Sequence, residues 1–365
     1  MSYFQTYFLY YFVVIITSVL VASARGLSQS RFRNFSKPVF WFAMLIPIII
    51  SGFRYGIGVD YFNYERMYFR LTDNPDIIGD IVHTRYEPGW IVLNYLVKII
   101  FDDVKYVFII SSLIIWTIHF KAIYNHRSKI SIGIATLIIF STLFNPSFNI
   151  IRLSVAASIV MLAVKPMLDK RPWKFLIIIL FAGSFHYTSL VFLPAYWIVN
   201  SKNANVGLAK RTISVLLAVL LIILAQPIVS FITSFEIFSA YSHYQLTYGN
   251  FGIGMIVLKL PVIVIILLNL KKLKLSQNKI YQISILYFIG VILKFFGYLA
   301  DYVGRIATYF EIMQVFILAA IVKVQTNKYE KLLYTTLIIL YFLGWYTFEI
   351  IINNGHKTIP YMWIK

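Results

Sequence analysis

The chain has 365 residues, 60% hydrophobic and 13% charged, with a mean hydropathy of +0.77. A soluble globular chain carries about 25% charged residues, so a soluble fold is excluded; repeated apolar runs near 20 residues mark an all-α integral membrane protein. The net charge of +19 fits basic cytoplasmic loops of a membrane protein better than a nucleic-acid surface, and zero cysteines exclude disulfides, thiol catalysis and thiolate-held metals.

In chain order, spans are read at 3–24, 39–53, 104–120, 130–144, 150–164, 173–199, 212–231, 253–270, 280–299, 302–322 and 332–352, with a shorter apolar run at 89–101. No charged side chain occurs through Phe12 and no small-residue cleavage site follows the first run, so that run is expected to stay as a span. Segments 25–37, 121–129, 165–174, 202–211, 271–279 and 323–331 are basic. Segments 54–88, 145–149, 234–252, 300–301 and 353–365 are mixed, acidic or aromatic. The positive-inside rule places the first set in the cytoplasm.

Two conditions make that threading consistent. Run 89–101 is too short to span unaided and is read as a re-entrant or interfacial helix. Run 173–199 would be about 40 Å long as one helix against a ~30 Å hydrocarbon core. A single crossing would place Lys202, Lys210 and Arg211 outside. It is therefore expected to break near 183–187 and cross twice. The result is one polytopic domain, 1–365, with about 12 crossings and both termini outside. The outer loop 54–88 and the short helix 89–101 are expected to form part of a site.

The unusual charges then gather on the outer face. SGFRYGIGVDYFNYERM carries Arg54 and Asp60, RYEPGW carries Glu87, and FNPSFNIIRLSVAA carries Arg152. GSFHYTSL carries His186, and LADYVGRIATYF carries Asp301 and Arg305. A charge at the membrane centre costs at least ~2.5–3.5 kcal/mol, while an arginine at a helix end snorkels to the interface. Each arginine alone reads as an anchor. Together, the charges would need each other, water or an anionic ligand. Arginine's planar fork suits phosphate, and helix N-termini near Arg152 and His186 would add positive partial charge. Histidine exchanges a proton near neutrality, so His186 is the candidate general base, with Asp60 and Glu87 as alternative bases or as groups that orient it. A helix-cap or core histidine is the alternative for His186.

No histidine pair has metal-ligand spacing, so no catalytic metal and no cofactor are expected. Asp73, Asp76 and Asp80 read as loop and turn residues. GFRYGIG lacks the Gly-Lys-Ser/Thr ending of a phosphate loop. Aromatics make up 18% of the chain, which fits an interface belt. Tyr64, Tyr86 and Trp90 sit in or beside the charged outer segment, where their rings would suit sugar stacking.

The ordered set FRYGIGVDYFNY, YEPGWIVLNYL, IIRLSVAASIV, FAGSFHYTSLVFLP and YVGRIATYF resembles the EpsG/Wzy-type bacterial polysaccharide polymerases over roughly residues 51–310. The resemblance implies a metal-independent glycosyltransferase with a GT-C-like membrane fold in the bacterial cytoplasmic membrane. Its donor and acceptor would be oligosaccharide repeat units on polyprenyl diphosphate, presented on the outer face. The growing chain would leave its diphosphate for the non-reducing end of a new unit. Arg152, Arg305 and Arg54 would bind diphosphate. His186, Asp60 and Glu87 would serve the chemistry, and Tyr64, Tyr86, Trp90 and Asp301 the sugars. Membrane lipids and a chain-length regulator protein are the further partners it allows. A flippase for the same lipid-linked sugar, a glycan ligase and a membrane acyltransferase using His186 are the alternatives.

Overall fold

The first apolar run starts at a reciprocal cap. Ser2 Oγ accepts the Gln5 amide at 3.2 Å, and Gln5 Oε1 accepts the Ser2 amide at 2.9 Å, satisfying two donors that a helix start leaves open. The structure is a computed structural model, which describes residues 1–364 except 74, 85, 201–252 and 297–300. The expected span at 212–231 lies outside the described residues. Among those described, the secondary structure is helical, with a single isolated bridge between Arg54 and Trp363.

The chain divides into two compact units. One comprises Met1–Pro75, Val92–Ser158 and Val315–Lys365. It is built on α1 (Tyr3–Leu27), α2 (Ser36–Gly52), α3 (Tyr61–Thr72), α6 (Lys105–Asn125) and α7 (Ile132–Leu143), with most of α5 (Pro88–Phe101) and the start of α8 (Ile151–Leu168). Its core is aromatic: Trp116 stacks on Phe140 with centroids 4.6 Å apart, and Phe144 meets Phe148 at 5.2 Å. Trp116 also donates to Ser51 Oγ at 3.0 Å, which ties α6 to α2 with the indole N–H satisfied.

The last residues of this unit return along the helix ends. After α15 (Lys328–Thr347) a π-turn at Phe348–Asn353 leads into residues 354–364. Tyr10 donates to Thr358 O at 2.6 Å, and Tyr361 donates through its hydroxyl to Ile50 O at 2.8 Å. Tyr55 N donates to Met362 O and Ile364 N to Phe53 O, both at 2.9 Å. These bonds satisfy backbone groups that an apolar surrounding would otherwise leave open. They also hold the turn that carries Arg54.

The second unit comprises Asp76–Ile91 and Ile159–Gln314. It contains α4 (Ile77–His83), α9 (Pro172–Gly183), α10 (Ala195–Asn200), α11 (Ile253–Ser276), α12 (Asn278–Phe296) and α13 (Asp301–Glu311). Phe192 packs 5.2 Å from Phe310, and Phe175 packs 5.4 Å from Tyr196. Pro88 and Pro172 open their helices, where a missing N–H costs nothing.

Six helices among the described residues are long and apolar enough to cross a membrane: Tyr3–Leu27, Arg33–Gly52, Lys105–Asn125, Ile151–Leu168, Gly304–Val324 and Lys328–Asn353. The chain is thus an all-α membrane protein. The run at 89–101 is a short helix, and the run at 173–199 does break: α9 stops at Gly183 and a 3₁₀ turn resumes at Tyr187. Two features differ from the sequence reading. The expected helix at 302–322 is divided at Ile312–Met313 into α13 and α14 (Gln314–Val324). Residues 54–88, expected as an outer loop, contain α3 and α4; α3 forms because Tyr61, Tyr64, Tyr68 and Leu71 make a helical apolar stripe that is buried.

Candidate functional site

The chemistry-bearing residues of the first unit meet where α2 ends and α8 begins. Gly58 has φ +98°, and an added Cβ would overlap Asn149 Oδ1 and lie 3.2 Å from Phe148 O. A side chain here would meet both backbone strain and that overlap. The turn therefore lies directly against the Phe148–Asn149 turn that precedes α8. Arg54 locks the two together. Only 1% exposed, it donates to Ser51 O and, at 3.0 Å, to Phe148 O. Its guanidinium lies 4.8 Å from the Phe148 ring centroid and 5.1 Å from that of Phe108. Burial lowers its pKa to about 10, so it stays charged at neutral pH. Carbonyls and aromatic faces thus enclose the charge of Arg54, the residue from which a diphosphate contact is expected.

Arg152 is the second residue of α8 and half-buried. Tyr64, 5% exposed, hydrogen-bonds to both its backbone and its side chain. Burial raises the Tyr64 pKa, and the charge of Arg152 opposes that shift. Tyr64, a residue expected to stack on sugar, thus fixes the helix start and the cation together with its ring buried. Asp60 precedes α3, half-buried, and accepts the Asn63 amide at 3.0 Å. Arg54, Asp60, Tyr64 and Arg152 thus share one neighbourhood.

In the second unit, α9 ends at Gly183 and His186 follows in extended backbone, φ −157° and ψ 110°. His186 is 9% exposed. Its Nδ1 lies 2.8 Å from Thr188 Oγ1, which lies 3.1 Å from the Tyr309 hydroxyl. Tyr309 is on α13, four residues after half-buried Arg305, so both lie on one helix face. Asp301 opens the same helix; its side chain is outside the described residues.

The YEPGW motif packs against the broken helix. Gly89 N donates to Ser184 O at 2.7 Å, and an added Cβ at Gly89 would stand 2.6 Å from Ser184 Oγ and 2.8 Å from its carbonyl oxygen. Glu87, fully buried, accepts the Trp90 and Ile91 amides through its carbonyl and lies within electrostatic reach of Tyr187. Trp90, the ring expected to stack on sugar, is also fully buried. Tyr86 is half-buried. Glu87, Gly89, His186, Thr188, Tyr309 and Arg305 thus belong to one unit.

Several residues here were not singled out in the sequence. Thr188 and Tyr309 have no signal beyond membership of the motifs that hold His186 and Arg305. Asn149 donates to His356 O at 2.9 Å, a contact across 207 positions. Lys259 and Glu311 form an ion pair at 3.0 Å with both residues buried. Their signal was legible: two opposite charges in apolar runs. Among the described residues, no group of three or more His, Asp or Glu is placed to hold a metal ion.

In comparison with known families, the model of the EpsG family matches residues 37–363. No curated protein and no solved structure gives a significant match. The family match carries a polysaccharide polymerase-like, glycosyltransferase role in polysaccharide biosynthesis.

Proposed function

The chain belongs to the EpsG family, and from that premise we propose that it polymerises oligosaccharide repeat units carried on polyprenyl diphosphate. The reaction takes place at the outer face of the bacterial cytoplasmic membrane. The acceptor is a non-reducing-end hydroxyl of a new lipid-linked unit. Its oxygen attacks the anomeric carbon of the growing chain, the bond from that carbon to diphosphate breaks, and the hydroxyl proton passes to a base.

The His186 arrangement carries this reading. With Nδ1–H donating to Thr188 Oγ1, Nε2 keeps the lone pair that a general base needs. Glu87 steadies the protonated imidazole, and Asp60, Tyr86 and Asp301 hold sugar hydroxyls. Arg152 and Arg305 bind the departing diphosphate, each by a two-toothed fork that stays charged. Tyr64 aims Arg152, and Arg54 braces the turn beneath it. Diphosphate is already a good leaving group, so two guanidiniums suffice without a metal. The proposal includes a GT-C-like fold with about 12 crossings in one polytopic domain, with 89–101 re-entrant or interfacial. A chain-length regulator protein is the expected partner.

The test is the size distribution of lipid-linked and surface glycan in a deletion strain complemented with wild type, His186→Ala or Arg152→Ala. The expected result is loss of long chains with single units still exported, unrestored by either variant. Long chains lacking their final acceptor would identify a ligase, and units trapped on the cytoplasmic side a flippase. A normal ladder in both variants would refute the site.

A further inference from the structure

A cavity of about 410 Å³ opens at the end of α2 remote from Arg54, inside the first unit. Its volume lies in the range of ligand pockets, about 300–1,000 Å³. Among the described residues, Arg25, Arg33, Lys37 and Arg127 line it, and no carboxylate does. None of these four has an ion-pair partner among the described residues. Lys323 adds to the charge: its Nζ lies 3.5 Å from Arg127 O, within electrostatic reach of Arg25 and Lys331.

The walls are shaped for a charged group with an apolar neighbour. Tyr124 and Phe40 line one side, with ring centroids 5.1 Å apart, and the Arg127 guanidinium stands 4.1 Å from the Tyr124 centroid. The first turns of α2, at Ser36, and of α7, at Ile132, also reach the cavity and bring the positive ends of two helix dipoles. Ser36 Oγ donates to Ala24 O at 2.7 Å, which closes the α1–α2 turn around the opening. A set of cations with no internal counter-charge is relieved by an anion, and three guanidiniums with an ammonium match phosphate oxygens.

We propose that this cavity binds a phosphate-bearing anion, supplied by the headgroup of an acidic phospholipid from the adjoining leaflet. By the charge rule this is the cytoplasmic leaflet, whose acidic lipids attract basic segments. The site is remote along α2 from the Arg54 turn and does not depend on the polymerase reading.

The test uses the purified full chain in neutral detergent, with thermal unfolding followed on titration with short-chain phosphatidylglycerol, phosphatidylcholine or inorganic phosphate. The expected result is a rise in Tm on the order of 3 °C with phosphatidylglycerol, none with phosphatidylcholine, and loss of the rise in Arg33→Gln/Lys37→Gln/Arg127→Gln. Because Arg33 is exposed on the short turn Arg33–Phe35, Arg33→Gln alone serves if the triple variant does not fold, with affinity falling roughly fivefold. An equal rise with inorganic phosphate alone, lost in the variant, supports the anion site and overturns the lipid as its source. A phosphatidylglycerol response that survives Arg33→Gln undiminished, or no response to either phosphate compound, overturns the proposal. Glycan length is not read in this assay, so its failure and that of the polymerase reading are separate results.

Discussion

Replacing Lys259 by methionine removes one partner of the buried pair that ends the Arg305 helix. Lys259 Nζ and Glu311 Oε1 are 3.0 Å apart, and each side chain is 11% exposed. At an effective dielectric of about 20, two unit charges at that distance attract by on the order of 5 kcal/mol. Desolvation offsets most of this in the intact pair, so its net contribution is small. Deleting one partner is different, because the remaining charge stays buried without compensation, at about 3–5 kcal/mol. Lys259→Met and Glu311→Gln are each expected to destabilise by that amount, and Lys259→Met/Glu311→Leu to recover most of it. The assay is unfolding of the purified protein in mixed micelles, arranged as a double-mutant cycle. Single variants that each cost under about 1 kcal/mol and simply add would refute the argument. Because Glu311 closes the helix carrying Arg305 and Tyr309, polymer yield is expected to follow stability across the cycle.

Other outcomes follow from the same geometry. His186→Ala is expected to lower polymerisation about 10²–10⁴-fold, the range for a lost general base. Thr188→Val, which leaves the imidazole in place but removes its 2.8 Å partner, should lower kcat roughly tenfold, with an altered pH profile and little change in KM; an unchanged pH profile would count against the relay. Gly58→Ala should destabilise by about 1–3 kcal/mol from backbone strain alone, and more from overlap with Asn149; a neutral change in unfolding would mean that the turn is not held as described. Burial raises the Tyr61 pKa from 10.0 to about 12. The phenol is neutral in both states below pH 10, and between 10 and 12 only the unfolded chain ionises. Wild type should therefore lose stability relative to Tyr61→Phe as pH rises through that window. A Tm difference between the two that is the same at pH 8 and pH 11 would contradict this.

The helix break at His186 was legible because a run of 27 residues exceeds the bilayer and a single crossing would place Lys202, Lys210 and Arg211 outside. Gly89 could be seen in YEPGW, but nothing in that motif says that Ser184, 95 positions away, leaves no room for a Cβ. Arg54 shows the limit most clearly. A charge beyond an apolar run reads as an outward ligand group. Phe108 and Phe148, which enclose it, come from elsewhere in the chain. Trp90 and Tyr64 make the same point, since an aromatic beside charges reads as a sugar platform and only the fold shows how far its neighbours cover it.

Composition and spacing therefore determined the solvent, because hydropathy summed over 20 residues depends on no partner. They also marked where charge and backbone irregularity interrupt the apolar runs. Only the tertiary structure decided which of those charges are enclosed and which stay half-open. Arg54 is shut in by carbonyls and rings from distant segments, while Arg152 and Arg305 remain half-buried. Burial depends on what packs against a side chain, and that is settled only when the chain folds.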